Sequence, residues 1–187
     1  MRSALFIDKD GTLIENEPLN LNPRLVRFTR HALPALLRLQ RLGYALVVVS
    51  NQPALGEGRF GIDQFARAQA SLIERLRLEG AVRLTGFYVC PHRADAGCGC
   101  RKPAPGLLRL AAAAHGLDLA NSWMVGDILD DVEAGRRAGC HTVLLDVGNE
   151  TRWHRTAQRR PDHRCTDLAE VAELVAAHET NRRTSVE

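Results

Sequence analysis

Two carboxylates spaced two residues apart, Asp8 and Asp10, directly follow a short apolar run near the start of the chain. An apolar run of this length that ends at a turn signal is typical of a buried strand. Because residues i and i+2 of an extended chain point to the same side, both carboxylates should face one site where the strand ends. Two carboxylates this close repel each other unless a cation lies between them or one holds a proton. The pair therefore indicates a site with a chemical role.

Three further polar residues lie where later predicted elements end or begin. Ser50 and Asp127 each end an apolar strand, and Lys102 lies just before a predicted helix. In open parallel sheets, ligands bind beyond the carboxyl ends of the strands. We therefore expect these three residues to meet Asp8 at one edge of the sheet, although they are far apart in the sequence.

This set of residues fits phosphoryl transfer. Mg²⁺ prefers one or two carboxylates together with phosphate oxygens, and Asp8 and Asp127 would supply the carboxylates. Asp8, kept ionised by the metal, could attack phosphorus and form an aspartyl-phosphate. Asp10 could protonate the leaving alcohol and then accept a proton from the hydrolytic water. Ser50 would hydrogen-bond the phosphoryl oxygens, and Lys102 would balance their charge.

A loop over residues 90–100 carries a second set of potential ligands, namely Cys90, His92, Cys98 and Cys100. Three sulfurs and one imidazole fit a closed tetrahedral Zn²⁺ site of the structural kind. The loop ends directly at Arg101 and Lys102, so a bound metal would hold the lysine in place. The alternative is a group of buried or free thiols beside a solvated histidine, although free cysteines normally prefer apolar surroundings and this loop is polar.

The elements that must position these residues alternate between strands and helices. Strands are predicted over residues 4–8, 45–50, 86–90, 122–127 and 141–146. Helices are predicted over residues 30–42, 63–79, 105–115, 129–138 and 167–178, the last with Asp167 as its N-cap. This alternation indicates an α/β fold, a parallel sheet with helices on both faces. We expect a single domain over 1–178, no clear periodicity in 149–164 and a flexible tail over 179–187.

The composition is that of an ordinary globular protein, with 45% hydrophobic residues, 25% charged residues and a formal net charge of +3. No run approaches the length of a membrane span, and the N-terminal stretch does not fit a signal peptide. We therefore expect a cytoplasmic protein, in which the five cysteines indicate metal binding or burial before disulfides. The small charge gives little support for a nucleic-acid partner, although a basic surface would suit an anionic substrate.

Four separated stretches resemble the motifs of the haloacid dehalogenase superfamily of phosphatases, in the same order. They are residues 6–12, 48–52, 101–103 and 125–131. The resemblance implies a Rossmann-like sheet, Mg²⁺ as a cofactor, Asp8 as nucleophile, Asp10 as acid and base, and Asp127 as the second metal carboxylate. It also implies that the backbone carbonyl of Asp10 binds the metal and that Asp131 is a supporting acidic residue.

The cysteine and histidine loop is similar to that of a subgroup without a large cap domain, which contains heptose-bisphosphate and histidinol-phosphate phosphatases. This likeness implies a small phosphorylated sugar or polyol as substrate. It favours the 7-phosphate of D-glycero-D-manno-heptose 1,7-bisphosphate, with histidinol phosphate as the alternative. The implied substrate contacts are Asn16, Glu17, Pro18, Leu19, Asn51, Gln52, Pro53 and Arg101. Since position 128 is Ile where some members have a substrate-binding Lys, Arg59 or Arg101 is expected to bind the phosphate that is not hydrolysed.

Two hypotheses from other classes stay open. One is a phosphate-binding protein with an inactive phosphatase fold. Asp10 argues against it, because a binding protein has no use for an acid and base two residues from the nucleophile. The other is a zinc-dependent nucleic-acid module that uses the basic segment 152–164, although such segments are more often solvated loops. We expect a monomer with a small-molecule substrate and without nucleic-acid or membrane partners.

Overall fold

Six parallel strands form one sheet in the computed structural model, which describes residues 1–17 and 21–184, apart from the side chain of Arg183. The strands are β1 (Ala4–Ile7), β2 (Ala45–Asn51), β3 (Gly86–Cys90), β4 (Trp123–Gly126), β5 (His141–Leu145) and β6 (His163–Cys165). Their spatial order is β3-β2-β1-β4-β5-β6. The register pairs Ile7 of β1 with Val48 of β2 and Val125 of β4. The carboxyl ends of the three central strands are therefore adjacent.

Helices cover both faces of this sheet. They are α1 (Ala32–Arg41), α2 (Pro53–Gly56), α3 (Ile62–Gly80), α4 (Gly106–His115), α5 (Leu129–Ala138) and α6 (Leu168–Thr184). Residues of α1, α3 and α6 pack on one face, and residues of α4 and α5 pack on the other. The side chains of β1 alternate between them, with Leu5 and Ile7 in the first core and Ala4 and Phe6 in the second. Because β1 is buried on both faces, all of its residues are apolar.

The expected α/β fold with helices on both faces of a parallel sheet is confirmed. Every predicted strand and helix is present, with ends that differ by a few residues. Asp167 caps α6 as predicted, since its Oδ1 accepts the N–H groups of Ala169 at 2.9 Å and Glu170 at 3.0 Å. None of the helices within the described ranges is long and apolar enough to cross a membrane.

Two parts of the chain differ from the prediction. β6 starts at the end of the 149–164 segment, for which no clear periodicity was predicted, and it pairs with β5. Three residues are too few to show a period in the sequence. The last helix does not end at residue 178 but continues to Thr184, so residues 179–184 are helical instead of forming a tail. Glu179 is buried there and forms an ion pair with Arg182 at 2.9 Å, which supports the additional turn.

Candidate active site

Three predicted site residues meet at the carboxyl ends of the central strands. Asp8 directly follows β1, Ser50 is the next-to-last residue of β2, and Asp127 directly follows β4. The backbone N–H of Asp8 continues the strand pairing by donating to the carbonyl oxygen of Val125 at 3.0 Å. The side chains of Asp8, Ser50 and Asp127 are buried. The expected convergence of these three residues at one edge of the parallel sheet is therefore found.

Lys102 brings a buried positive charge to the same place. Its Nζ donates to Oδ1 of Asp8 and to the carbonyl oxygen of Val49 at 3.1 Å, and it lies 2.6 Å from Oδ1 of Asp131. Burial lowers the pKa of Lys102, but the charges of Asp131 and Asp8 outweigh this effect and raise the pKa above its ordinary value. The lysine is therefore a fixed cation beside Asp8, and Asp131 contacts it directly.

Three carboxylates around this lysine fit a divalent cation. Oxygen atoms of Asp8, Asp127 and Asp131 lie within 4.8 Å of one another. Burial raises the pKa of Asp8 to about 7, against the opposing charge of Lys102. Burial and the charge of Asp8 raise the pKa of Asp127 to about 6. Buried carboxylates this close are fully ionised only if more positive charge is present, and an oxygen donor set of this kind suits Mg²⁺.

The carboxylate of Asp127 is held by two hydrogen bonds. Thr12 Oγ1 donates to its Oδ1 at 3.1 Å, and Asn149 Nδ2 donates to its Oδ2 at 2.8 Å. Gly11 allows the close approach, because its φ is +84° and a Cβ at this position would overlap with the Asp127 carboxylate. These contacts fix the orientation of Asp127 toward the site, as outer-shell partners of metal ligands do.

Asp10 lies beside the buried carboxylates but faces a cavity of about 310 Å³. Gln52 Nε2 joins it to Ser50, donating to Asp10 Oδ2 at 2.8 Å and to Ser50 Oγ at 2.9 Å. The other carboxylate oxygen, Oδ1, lies 2.5 Å from Lys9 Nζ. Asp10 is thus placed between the buried carboxylates and a space in which a leaving group could lie.

The predicted substrate loops form part of the wall of the cavity beside Asp10. Of the predicted residues, its walls include Asn16, Glu17, Asn51, Gln52 and Pro53. Arg59 and Arg101 do not line it; Arg59 is exposed, and Arg101 Nη1 donates to the carbonyl oxygen of His92 at 3.4 Å. Pro18 and Leu19 lie outside the described residues. Lys9, Leu21, Ala54 and Phe60 also line the cavity and were not predicted.

The cysteine and histidine loop forms a compact group of potential ligands. The sulfur atoms of Cys90, Cys98 and Cys100 lie 3.2–3.6 Å apart, and His92 Nδ1 lies 3.2 Å from the sulfur of Cys100 and 3.4 Å from that of Cys90. In a tetrahedral zinc site with Zn–S bonds of about 2.3 Å, neighbouring sulfurs are about 3.8 Å apart. Burial raises the pKa of Cys98, but hydrogen bonds from backbone N–H groups outweigh this effect and lower the pKa to about 6. The group fits Zn²⁺, which binds thiolates.

Known phosphatases are similar to this chain in sequence. A sequence model of the HAD-hydrolase-like family matches residues 99–171. The D-glycero-β-D-manno-heptose-1,7-bisphosphate 7-phosphatase of Pasteurella multocida is 36% identical over 155 residues, which cover 79% of this chain and 84% of that protein. The protein of the same name from Mesorhizobium japonicum is 36% identical over 185 residues, covering 95% and 82%. The chain belongs to the HAD-like phosphatases.

The fold of this HAD-like phosphatase is similar to that of D,D-heptose 1,7-bisphosphate phosphatase from B. bronchiseptica, a structure with magnesium and phosphate. The TM-score is 0.79, with 28% sequence identity over 95% of this chain and 99% of that one. The predicted superfamily is therefore confirmed, and so is the predicted enzyme class, the phosphoric monoester hydrolases.

Asn149 and Lys9 are among the residues that sequence reasoning missed at the site of this HAD-like phosphatase. Asn149 lies in the loop after β5. The strand-end rule that predicted Asp8 and Asp127 also indicates this loop. Lys9 lies between two predicted catalytic residues, and its side chain lines the cavity. A sequence pattern does not show which cavity a lysine side chain lines.

Proposed function

We propose that this chain hydrolyses the 7-phosphate of D-glycero-β-D-manno-heptose 1,7-bisphosphate in a Mg²⁺-dependent reaction through an aspartyl-phosphate. The observation that carries the proposal is the gathering of Asp8, Lys102, Asp127 and Asp131 at one buried point, with Asp10 between them and a cavity. The substrate is supported by relatives that are named as phosphatases of this bisphosphate and are 31–36% identical over most of the chain.

Asp8 and Asp127, together with the backbone carbonyl of Asp10, would hold Mg²⁺. When bound, this ion neutralises phosphoryl oxygens and keeps a buried carboxylate ionised at neutral pH. Lys102 remains beside Asp8 and balances charge on the phosphoryl group. Ser50, whose Oγ accepts from Gln52, has its hydroxyl proton free to donate to a phosphoryl oxygen.

The first half of the reaction forms the intermediate. A carboxylate oxygen of Asp8 attacks phosphorus, and the bond between phosphorus and the sugar oxygen breaks. That oxygen takes a proton from Asp10, so the sugar leaves as an alcohol. In the second half, Asp10 accepts a proton from a water molecule whose oxygen attacks phosphorus. The bond from phosphorus to Asp8 then breaks, which releases inorganic phosphate and restores the Asp8 carboxylate.

The cavity next to Asp10 suits the sugar. Asn16 offers its side-chain amide at the wall, and Gln52, whose Nε2 is engaged with Asp10 and Ser50, offers its Oε1 as an acceptor for sugar hydroxyls. Lys9 supplies an ammonium group at the same wall, and its side chain is only 12% exposed. Lys9 is paired with Asp10 at 2.5 Å, and Glu17 adds a second carboxylate to the wall. The cavity therefore combines amide groups with carboxylates that can accept hydrogen bonds from sugar hydroxyls.

We also propose that Cys90, His92, Cys98 and Cys100 bind a structural Zn²⁺. All four coordination positions would be taken by the protein, so no position is open for catalysis. The chain runs from Cys100 through Arg101 directly to Lys102. A metal in this loop would thus restrict the backbone that carries the lysine.

The test is phosphate release with Mg²⁺ from heptose 1,7-bisphosphate and histidinol phosphate side by side. We expect a large kcat/KM advantage for the bisphosphate and loss of activity in Asp8→Asn. Asp118→Asn, which alters a partly buried carboxylate in a turn away from the site, is the matched control and should be active. A preference for histidinol phosphate would overturn the substrate, and full activity of Asp8→Asn would overturn the mechanism.

A further inference from the structure

A second cavity, of about 410 Å³, lies beside residues 153–164 and shares no lining residue with the cavity at Asp10. Its charged lining is basic and consists of Arg155, Arg159, Arg160 and Arg164. No acidic residue of the described ranges lines it. Trp153 forms part of the same wall, so we call this cavity the Trp153 pocket.

Trp153 orders two of these arginines. The guanidinium carbon of Arg164 lies 5.2 Å from the centre of a Trp153 ring, and that of Arg155 lies 5.7 Å away. A guanidinium that stacks on an aromatic ring uses its flat face, so the N–H groups at its edge remain available. Those edges can donate two parallel hydrogen bonds to one oxyanion. The stacking therefore prepares arginine side chains for an anionic ligand.

The charges of the pocket are only partly neutralised by the protein. Arg159 is paired with Asp130 at 2.6 Å and with Glu133 at 2.7 Å, so its charge is neutralised by the protein. Arg155 and Arg160 form no ion pair with any residue that the structure describes, and Arg164 reaches Asp146 only at 3.3 Å. The pocket thus holds at least two arginines whose charge is not balanced.

We propose that the Trp153 pocket binds the phosphoryl group of a small organic phosphate, held by Arg155 and Arg160. Arginine pairs with phosphate through two hydrogen bonds, and apolar contacts from Leu129 and Pro161 suit the organic part. Leu129 begins α5, the helix whose first turn also carries Asp131. The ligand would therefore lie against the helix that supports the catalytic lysine. This site is additional to the proposed function, which assigns no role to residues 153–164.

Tryptophan fluorescence gives a direct test. The chain has two tryptophans, and Trp123 is fully buried, so a response to an added anion reports on Trp153, which is 38% exposed. Inorganic phosphate is titrated into the full-length protein without Mg²⁺, at an ionic strength held constant with chloride. We expect a saturable change in emission. A change that does not saturate, or that chloride alone produces, would refute the proposal.

Two double variants locate the binding. Arg155→Ala/Arg160→Ala should weaken phosphate at least about tenfold, because each charge-assisted hydrogen bond contributes roughly that factor or more. Arg67→Ala/Arg83→Ala removes two exposed arginines elsewhere and should leave the affinity unchanged. Equal affinity in both variants would overturn the assignment. Circular dichroism checks that both are folded.

Kinetics with the same variants separates two sources of the phosphoryl group. If Arg155→Ala/Arg160→Ala raises KM for heptose 1,7-bisphosphate but not for heptose 7-phosphate, the pocket binds the second phosphate of the substrate. If neither KM changes although fluorescence binding is lost, the ligand is a separate organic phosphate. If the wild-type protein turns over neither sugar, the proposed function fails, but the fluorescence result still decides whether the pocket binds phosphate.

Discussion

The side-chain amide of Asn51 binds both polar groups of the Lys102 backbone. Its Nδ2 donates to the carbonyl oxygen of Lys102 at 3.0 Å, and its Oδ1 accepts the N–H of Lys102 at 3.0 Å. Asn51 is the last residue of β2, so this pair of hydrogen bonds ties the lysine loop to the central sheet. The sequence led us to expect Asn51 as a substrate contact, and its contacts add a positioning role for the lysine.

We expect Asn51→Ala to lower kcat on the order of 10–100-fold, because small displacements of a catalytic group have effects of that size. Two hydrogen bonds are lost, so the free energy of unfolding should fall by about 1–3 kcal/mol. Gln40→Ala is the matched control, since Gln40 also joins two backbone groups, the carbonyl of Ala81 and the N–H of Arg83. It should lower stability but not kcat; an equal loss of kcat in both variants would contradict the positioning role.

A second prediction concerns Gly126, the last residue of β4. A Cβ here would overlap with the side chain of Asp131, which contacts Lys102. Gly126→Ala should therefore displace Asp131 and reduce kcat at least about tenfold, because the lysine loses its second carboxylate. Gly61→Ala, at a position with open space around it, should retain wild-type kcat. Steady-state kinetics of the two variants, with thermal unfolding as a check on folding, measures the difference.

The strand-end rule explains how much of the site was predictable. Asp8, Ser50 and Asp127 each follow or end an apolar strand, and parallel order alone brings such residues to one edge. The orientation of the Arg59 and Arg101 side chains was not predictable, because charge and loop position do not determine where a long side chain points. Arg101 donates to the carbonyl oxygen of His92 in the 90–100 loop, and Arg59 is exposed.

The ends of elements depend on tertiary contacts, which the sequence pattern does not contain. Asp167 was predicted as an N-cap because capping involves residues within one turn, and its hydrogen bonds to Ala169 and Glu170 are local. The end of α6 was placed too early. Burial of Glu179 against the rest of the fold is not visible from the helix alone.

A third prediction concerns the 90–100 loop, for which we propose a bound Zn²⁺. Cys98→Ser/Cys100→Ser removes two of four ligands, so it should bind little zinc and lower kcat on the order of tenfold through the backbone that leads to Lys102. Metal analysis and steady-state kinetics on the same preparation measure both effects. Cys165→Ala, which alters a buried thiol elsewhere, should keep its zinc. A zinc-free double variant with full activity would show that the loop does not position the lysine.

A fourth prediction concerns stability at acid pH. The ring of His141 stacks on buried Trp123, with ring centres 4.7 Å apart. Burial, together with the charges of His178 and His163, lowers the pKa of His141, against the opposing charge of Asp162. The pKa of His141 in the folded protein lies below the ordinary value of 6.5. The contribution of the neutral His141 ring to the free energy of unfolding is therefore complete above pH 6.5, and it is lost as the pH falls through the folded pKa. We expect Tm to fall as the pH is lowered from about 7.5 to about 5.

His141→Gln should reduce this dependence of Tm on pH, because the variant has no group to protonate beside Trp123. His154→Gln removes an exposed histidine and should leave the dependence as in the wild-type protein. Thermal unfolding of the three proteins over the same pH range measures the effect. Identical curves for His141→Gln and the wild-type protein would assign the acid sensitivity to other groups.

The last prediction concerns Asn149, whose Nδ2 donates to Asp127 Oδ2 at 2.8 Å. Outer-shell partners of metal ligands typically contribute about 10–100-fold to metal affinity or activity. Asn149→Ala should therefore raise the Mg²⁺ concentration for half-maximal activity by roughly that factor, with a smaller effect on kcat at saturating Mg²⁺. Asn121→Ala breaks a similar hydrogen bond, to Asp118 at 2.7 Å, away from the site. An equal Mg²⁺ requirement in both variants would mean that Thr12 alone suffices to orient Asp127.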